Sequence, residues 1–424
     1  TMVPYVRRSF NKHYNFIRSF IPGTKKKDIK NIDEVSIDST IYKGTFSLVD
    51  RVCYTYAIKA TKKELDQAVE GMYHNLNTLQ SRSGNQLPFT SINFGTCTNI
   101  EGRMVIKSLL EGSIKGVGKY HKTPVFPCGI FQYMKGVNDK PGTPNYDLYR
   151  LALKSTSKRL YPNYANVDWS VNAGYDRSDP KTYVSTMGCR TYNGADINVE
   201  PGVNPQTKDG RGNICPVTII MPTLAMMAKE TNPDDVVEEF MKILDTKIHE
   251  AKDMLIERFE WICSQSPKSA SFMWENNTMI GYKPKEGIKS ALKHGTLALG
   301  NLALAETLQI LIGTDHTSPE GMVLAKRIYS LFNNRCAEFK LKYKLNFGVY
   351  NTPAESLCHT ALKRFRDKYG VIPNVSDKEY FTNSMHVPVW KQITPFEKID
   401  IESQLAKYSN AGCICYVELP STVN

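Results

Sequence analysis

The chain has 424 residues, 41% of them hydrophobic, which is enough to bury a large core and too apolar for a disordered tail. Lysine and arginine number 54 against 42 acidic residues, and the formal net charge of +12 favours anionic partners, nucleotides and nucleic acids among them, without choosing one. No run approaches the roughly 20 apolar residues of a membrane span and the opening shows no secretory pattern, so the expected setting is cytoplasmic, with no membrane partner.

In chain order, residues 62–81 carry Leu65, Ala68, Val69, Met72, Leu76 and Leu79 at spacings of three and four, one face of an amphipathic helix. Strands are expected at 87–94, 104–110 and 124–133, the last continuously apolar, as a strand covered on both faces would be. A short helix is expected at 146–153. Residues 134–215 are otherwise dominated by Gly, Pro, Asn, Asp and Tyr, and so long an irregular stretch in a compact protein points to a functional loop. A strand at 217–221 precedes a long helix over 234–263, with Asn232-Pro233 as its start signal. The apolar run 296–312 reads as a buried helix, 321–340 as an amphipathic one, and 346–350, 385–389 and 413–419 as strands. Alternating strands and helices with buried strands indicate an α/β sheet or barrel.

Ten cysteines lack the tight, even spacing of a secreted disulfide framework. There is no CxxC pair, so no metal ligands are assigned, and Cys413 and Cys415 read as buried strand thiols. The basic run Lys25, Lys26, Lys27 and Lys30 lacks interleaved aromatics and reads as a solvated loop.

Three strings could carry chemistry. Cys189, within Met187-Gly188-Cys189-Arg190-Thr191, stands in the irregular stretch, where a loop can present a thiol to a substrate; a small buried thiol is the plain alternative. Gly210-Arg211-Gly212-Asn213 offers close backbone approach and a guanidinium fork for phosphate, or only a tight turn with an exposed arginine. Residues 380–389 place Asn383, Ser384 and His386 ahead of an apolar run, where hydroxyls and backbone N–H groups can cradle an anion, or merely make a turn. No zinc-protease, P-loop or serine-hydrolase string occurs.

Together these strings resemble the anaerobic (class III) ribonucleoside-triphosphate reductase family, in the family's order. The resemblance also runs through residues 4–10, 75–96 and 124–127, Lys293-His294-Gly295-Thr296, Thr352-Pro353-Ala354-Glu355, Ser409-Asn410-Ala411-Gly412 and Tyr416-Val417-Glu418-Leu419. It implies a ten-stranded α/β barrel with a central finger loop: one catalytic domain over 1–424, a finger loop at 180–195, and a dimer or effector helix at 62–82. It implies that Cys189, as a thiyl radical, abstracts the 3′ hydrogen of the ribose, that Met187 and Asn213 line the substrate pocket, and that Asn383 and Ser384 hold the triphosphate. Also implied are a glycyl radical, formate as reductant, ATP or dNTP effectors, a homodimer, and an activase using an iron–sulfur cluster and S-adenosylmethionine. The family's second catalytic cysteine, glycyl-radical string and four-cysteine zinc site have no match within this sequence. The chain is therefore expected to be a truncated piece of a longer protein, a split-gene product that assembles with complementary N- and C-terminal pieces, or a relic that binds nucleotides or nucleic acid.

Overall fold

A computed structural model describes residues 2–30, 47–79, 87, 89–169, 173–188, 190–276 and 278–418. The chain forms two compact units, Thr1–Asp168 and Trp169–Asn424.

The first unit runs α1 (Val3–Arg18), α2 (Leu48–Thr78), β1 (Ser91–Phe94), α3 (Ile100–Lys115), β2 (Cys128–Tyr133), α4 (Tyr146–Arg159) and β3 (Asn163–Asn166). Its strands form a parallel sheet in the order β1-β2-β3, so each connection crosses over through a helix. The helix expected at 62–81 is the second half of α2, which Ser47 caps at its start through the Asp50 amide. Residues 104–110 are not a strand but the middle of α3. Met104, Ile106, Leu109 and Leu110 are all buried, and seven residues show too little of the helical period to separate a buried helix from a buried strand.

The second unit runs β4 (Asn213–Ile220), α5 (Met221–Thr231), α6 (Val236–Cys263), α7 (Ser271–Glu275), α8 (Lys289–Leu292), β5 (Thr296–Leu302), α9 (Leu304–Ile312), α10 (Pro319–Tyr343), β6 (Asn346–Asn351), α11 (Ser356–Tyr369) and α12 (Pro395–Ala406). A second parallel sheet is ordered β4-β5-β6. Every residue of β5 and β6 is buried, as expected of parallel strands covered on both faces. The long helix α6 packs Phe240, Leu244, Ile248, Leu255 and Phe259 into the core of this unit. Its cap is Asp235, whose side chain takes the Glu238 amide, two residues beyond the expected Asn-Pro signal.

The apolar run 296–312 is not one helix. It divides at Ala303, where φ is +64°, into β5 and α9, because a strand buried on both faces is as continuously apolar as a buried helix. Asn301 inside it is fully buried and meets Tyr329 and Asn351. The Tyr329 hydroxyl lies 2.7 Å from Asn301 Oδ1 and 2.8 Å from Asn351 Oδ1. Tyr329→Phe strips both amides of this partner and is expected to lower stability by about 1–3 kcal/mol, read as a shifted urea midpoint at constant m; an unchanged midpoint refutes the assignment.

Residues 385–389 and 413–418 form no strand, and Leu419 lies outside the described residues. The backbone N–H of Val387 goes to a side-chain carboxylate instead of a ladder. Cys415 is exposed and not a buried strand thiol. Among the described residues there are six strands in two three-stranded sheets, not ten in one. No described helix is long and apolar enough to cross a membrane, and no described group of His, Cys, Asp and Glu is placed to hold a metal.

Candidate functional site

The irregular stretch is fastened to the edge of β6. Ala411 N donates to Val349 O and Asn351 N to Gly412 O, both 2.9 Å, so residues 411 and 412 lie alongside β6. Thr191 bridges Gly412 in turn, Tyr192 N donates to Ala411 O at 3.2 Å, and the Thr191 and Tyr350 hydroxyls meet at 2.6 Å. Met187 bridges Thr191, closing a short hairpin. Cys189 itself lies outside the described residues, but the positions on either side of it are held.

Arg190 is buried, with Nη1 3.4 Å from both Asn351 O and Thr352 O, and its guanidinium 5.4 Å from the centre of the Tyr416 ring. Thr352 O also receives the Ser384 hydroxyl at 2.9 Å, while the Thr352 hydroxyl pairs with that of Thr218 on β4 at 2.9 Å. Thr352 thus joins three strings that lie far apart in sequence. Gly300 on β5 completes this layer: a Cβ there would sit 2.1 Å from Thr352 Oγ1 and 2.8 Å from Thr218 Oγ1, so the hydroxyl pair requires glycine.

The loop 382–387 is strung between two buried carboxylates. At one end, Glu306 of α9 accepts Thr382 N at 2.7 Å and Thr382 Oγ1 at 2.6 Å. At the other, Glu402 of α12 accepts Val387 N at 2.9 Å and lies 3.2 Å from His386 Nδ1, with Lys398 Nζ at 3.0 Å. Between them Ser384 is held at φ +46°, an uncommon conformation for a residue with a side chain. Burial pushes the Glu402 carboxyl up, yet the His386 contact, Cys415 and Lys398 pull it down to about 2. Glu306 goes the other way: burial outweighs the Thr382 bonds and lifts it to about 7.

Glu306 therefore binds its proton more tightly folded than unfolded, so its linkage contribution is complete below its unfolded value near 4.5 and is lost as pH rises through about 7. A shift of that size is worth roughly 3 kcal/mol. Glu306→Gln, which keeps an oxygen for Thr382, is expected to flatten this decline, matching wild type near pH 5 and exceeding it near pH 8 in urea unfolding. Parallel pH profiles for the two proteins would rule Glu306 out as the group responsible.

Beside this loop lies a cleft of about 350 Å³, lined by Thr382, Asn383, His386, Tyr380, Trp390 and Tyr416 among others. Asn383 reaches it, whereas Ser384 is fully buried with its hydroxyl engaged. The Arg211 side chain is buried and its fork is partly engaged: Nε donates to His294 O at 2.7 Å and Nη1 to Gly194 O and Thr207 O at 2.9 Å, while Nη2 has no partner among the described residues. Asp196 ties the same region together, 2.7 Å from His294 Nδ1 and 2.8 Å from Asn346 Nδ2. Asn213 opens β4, and its Oδ1 is buried without a partner among the described residues, a state that asks for a ligand or water.

A family model described as anaerobic ribonucleoside-triphosphate reductase matches residues 1–424. The chain belongs to that family. It is 33% identical over 371 residues to the anaerobic ribonucleoside-triphosphate reductase of Salmonella typhimurium, covering 86% of this chain and 50% of that protein. It is also 33% identical over 376 residues to that of Enterobacteria phage T4, covering 87% and 58%. The chain thus spans about half the length of these curated relatives. In fold it is similar to the anaerobic ribonucleotide reductase of Thermotoga maritima solved with citrate in the active site, with a TM-score of 0.61 and 15% identity over 85% of this chain and 62% of that one. A second structure of that enzyme, with dATP bound in the specificity site, gives 0.60 over 84% and 57%.

The reductase chain gathers Met187, Arg190, Thr352, Asn383 and Ser384 around one end of the β4-β5-β6 sheet, whereas Asn213 stands at the other, level with Thr296 and Asn346. Glu306 and Glu402 were not among the candidate residues of the sequence, and Gly412 stood there only as part of the Ser409-Asn410-Ala411-Gly412 string. The signal for Glu306 was present, since it interrupts an apolar run; the contact of Glu402 with His386 spans 16 positions and leaves no local pattern.

Proposed function

We propose that this chain carries the substrate end of an anaerobic ribonucleoside-triphosphate reductase, in which Cys189, as a thiyl radical, takes the 3′ hydrogen of the ribose so that the 2′ hydroxyl can leave. Support comes from family membership together with the placement of the described neighbours of Cys189: Met187, Arg190 and Thr191 are fixed by backbone bridges and buried bonds. Met187 is proposed to line the ribose pocket; the same role for Asn213 rests on the family, since Asn213 opens β4 at the opposite end of the sheet from the Met187 hairpin, and its unpartnered Oδ1 is the acceptor it would offer. Asn383 and Ser384 are proposed for the triphosphate, Asn383 from the cleft wall and Ser384 chiefly by holding the turn.

The finer family features belong to the same proposal: a ten-stranded barrel with residues 180–195 as its finger loop, the second half of α2 as an effector and dimer helix, dNTP or ATP effectors, formate as reductant, and a glycyl radical installed by an S-adenosylmethionine-dependent activase. The dATP-bound Thermotoga enzyme supports the effector reading by analogy of fold.

The deciding experiment is anaerobic conversion of a labelled ribonucleoside triphosphate to its deoxy form by the full-length protein with activase and formate. Product formation is the expected result. A folded protein that binds nucleotide and makes no product under any reductant would instead support a nucleotide-binding role.

A further inference from the structure

His386 has a nitrogen for which the described residues supply no partner. The residue is 7% exposed, its Nδ1 faces Glu402 Oε2 at 3.2 Å, and its Nε2 is buried without a hydrogen bond among the described residues. A buried imidazole nitrogen left unsatisfied in this way carries a desolvation cost that a ligand can relieve. The ring lines the same cleft as Asn383.

With Glu402 against Nδ1, Nε2 is the ring nitrogen left for a ligand, as an acceptor in the neutral imidazole or as a donor in the imidazolium. The Glu402 charge is already met by Lys398 Nζ at 3.0 Å and the Val387 amide at 2.9 Å. Around the ring the other charged or titratable groups are Asp315, paired with Lys391 at 2.7 Å, His316 beside it, Cys415 against Glu402, and Arg190 across the Tyr416 ring, which lies 5.9 Å from His386. Glu355 and Glu418 also line the cleft.

We infer that His386 is a direct contact for an anionic phosphate group of the nucleotide, donating from Nε2, and that Glu402 and Glu306 are the positioning residues that present it and Asn383 to the cleft. This deepens, and rests on, the reductase reading. The two carboxylates grip the loop 382–387 from separate helices, α9 and α12, so the presentation is set before any ligand arrives.

The test uses the full chain labelled with 15N-histidine, titrated with tripolyphosphate and separately with unphosphorylated adenosine. Tripolyphosphate is expected to move the His386 Nε2 resonance, assigned by its loss in His386→Ala, from the unprotonated towards the protonated position, and adenosine to leave it in place. His386→Ala is expected to weaken tripolyphosphate binding about tenfold or more, as loss of a charge-assisted bond would. Glu402→Gln is expected to weaken it less, with the Nε2 response blunted. An unmoved resonance in the wild-type protein, or unchanged affinity in a folded His386→Ala, overturns the inference even if ribonucleotide conversion proceeds. Conversely, tripolyphosphate bound through His386 with no conversion by the full-length activated protein overturns the reductase reading alone.

Discussion

Cys189→Ala in the full-length, activated protein is expected to reduce ribonucleotide conversion to background while leaving nucleotide affinity and the unfolding midpoint near wild type. The reasoning is chemical. A thiol S–H and a ribose C–H bond are close enough in strength for reversible hydrogen transfer, and no alanine atom can substitute, so the loss falls on turnover and not on ground-state binding. The described contacts of this hairpin do not involve Cys189: Thr191 is locked to Gly412 and Tyr350, and Met187 to Thr191, so the substitution leaves those contacts in place. Turnover above background in the variant would remove Cys189 from the mechanism. A large fall in the unfolding midpoint would mean that the residue acts by packing.

The second large effect is expected at Gly412. Its φ is +143°, and a Cβ there would lie 2.5 Å from Arg190 O, 2.8 Å from Tyr350 Cε2 and 2.9 Å from Thr191 Cα. Two of these three neighbours are backbone, which cannot rotate away. Overpacking and strain together are expected to cost about 2–4 kcal/mol in Gly412→Ala, and because relief comes by unseating residues 190–191, activity is expected to be lost with stability. Gly118→Ala, at a positive-φ glycine with open space around it, serves as control. Should Gly412→Ala keep full activity, the docking of residues 190–192 on 411–412 is not needed for function.

How much of this was visible in the sequence depends on whether the signal is local. The long helices declared themselves: α6 and α10 repeat apolar residues at three and four over many turns. The strings around Cys189, Asn213 and Asn383 were marked by glycines, amides and hydroxyls gathered where no core face needs them. Short buried segments were misread, α3 as a strand and β5 as part of a helix, because burial on all sides erases the period that tells them apart. The supporting groups were hidden for another reason. Glu306 meets Thr382 across 76 positions, and nothing in either neighbourhood encodes the pairing. The Arg211 fork looked fit for phosphate, yet its Nε and Nη1 go to three backbone carbonyls, since a guanidinium serves either role.

The placement of residues 411 and 412 along β6 also bears on how the protein behaves in solution. A buried, apolar strand at the end of a sheet is a template for pairing with another chain, and natural proteins cover such edges. Here Ala411 and Gly412 take the β6 hydrogen bonds, and Thr191 and Tyr192 then cover that segment. The loop proposed to hold the reactive thiol is thus also the outer shield of the sheet, so damage that unseats it would uncover an aggregation-prone edge as well as silence the site.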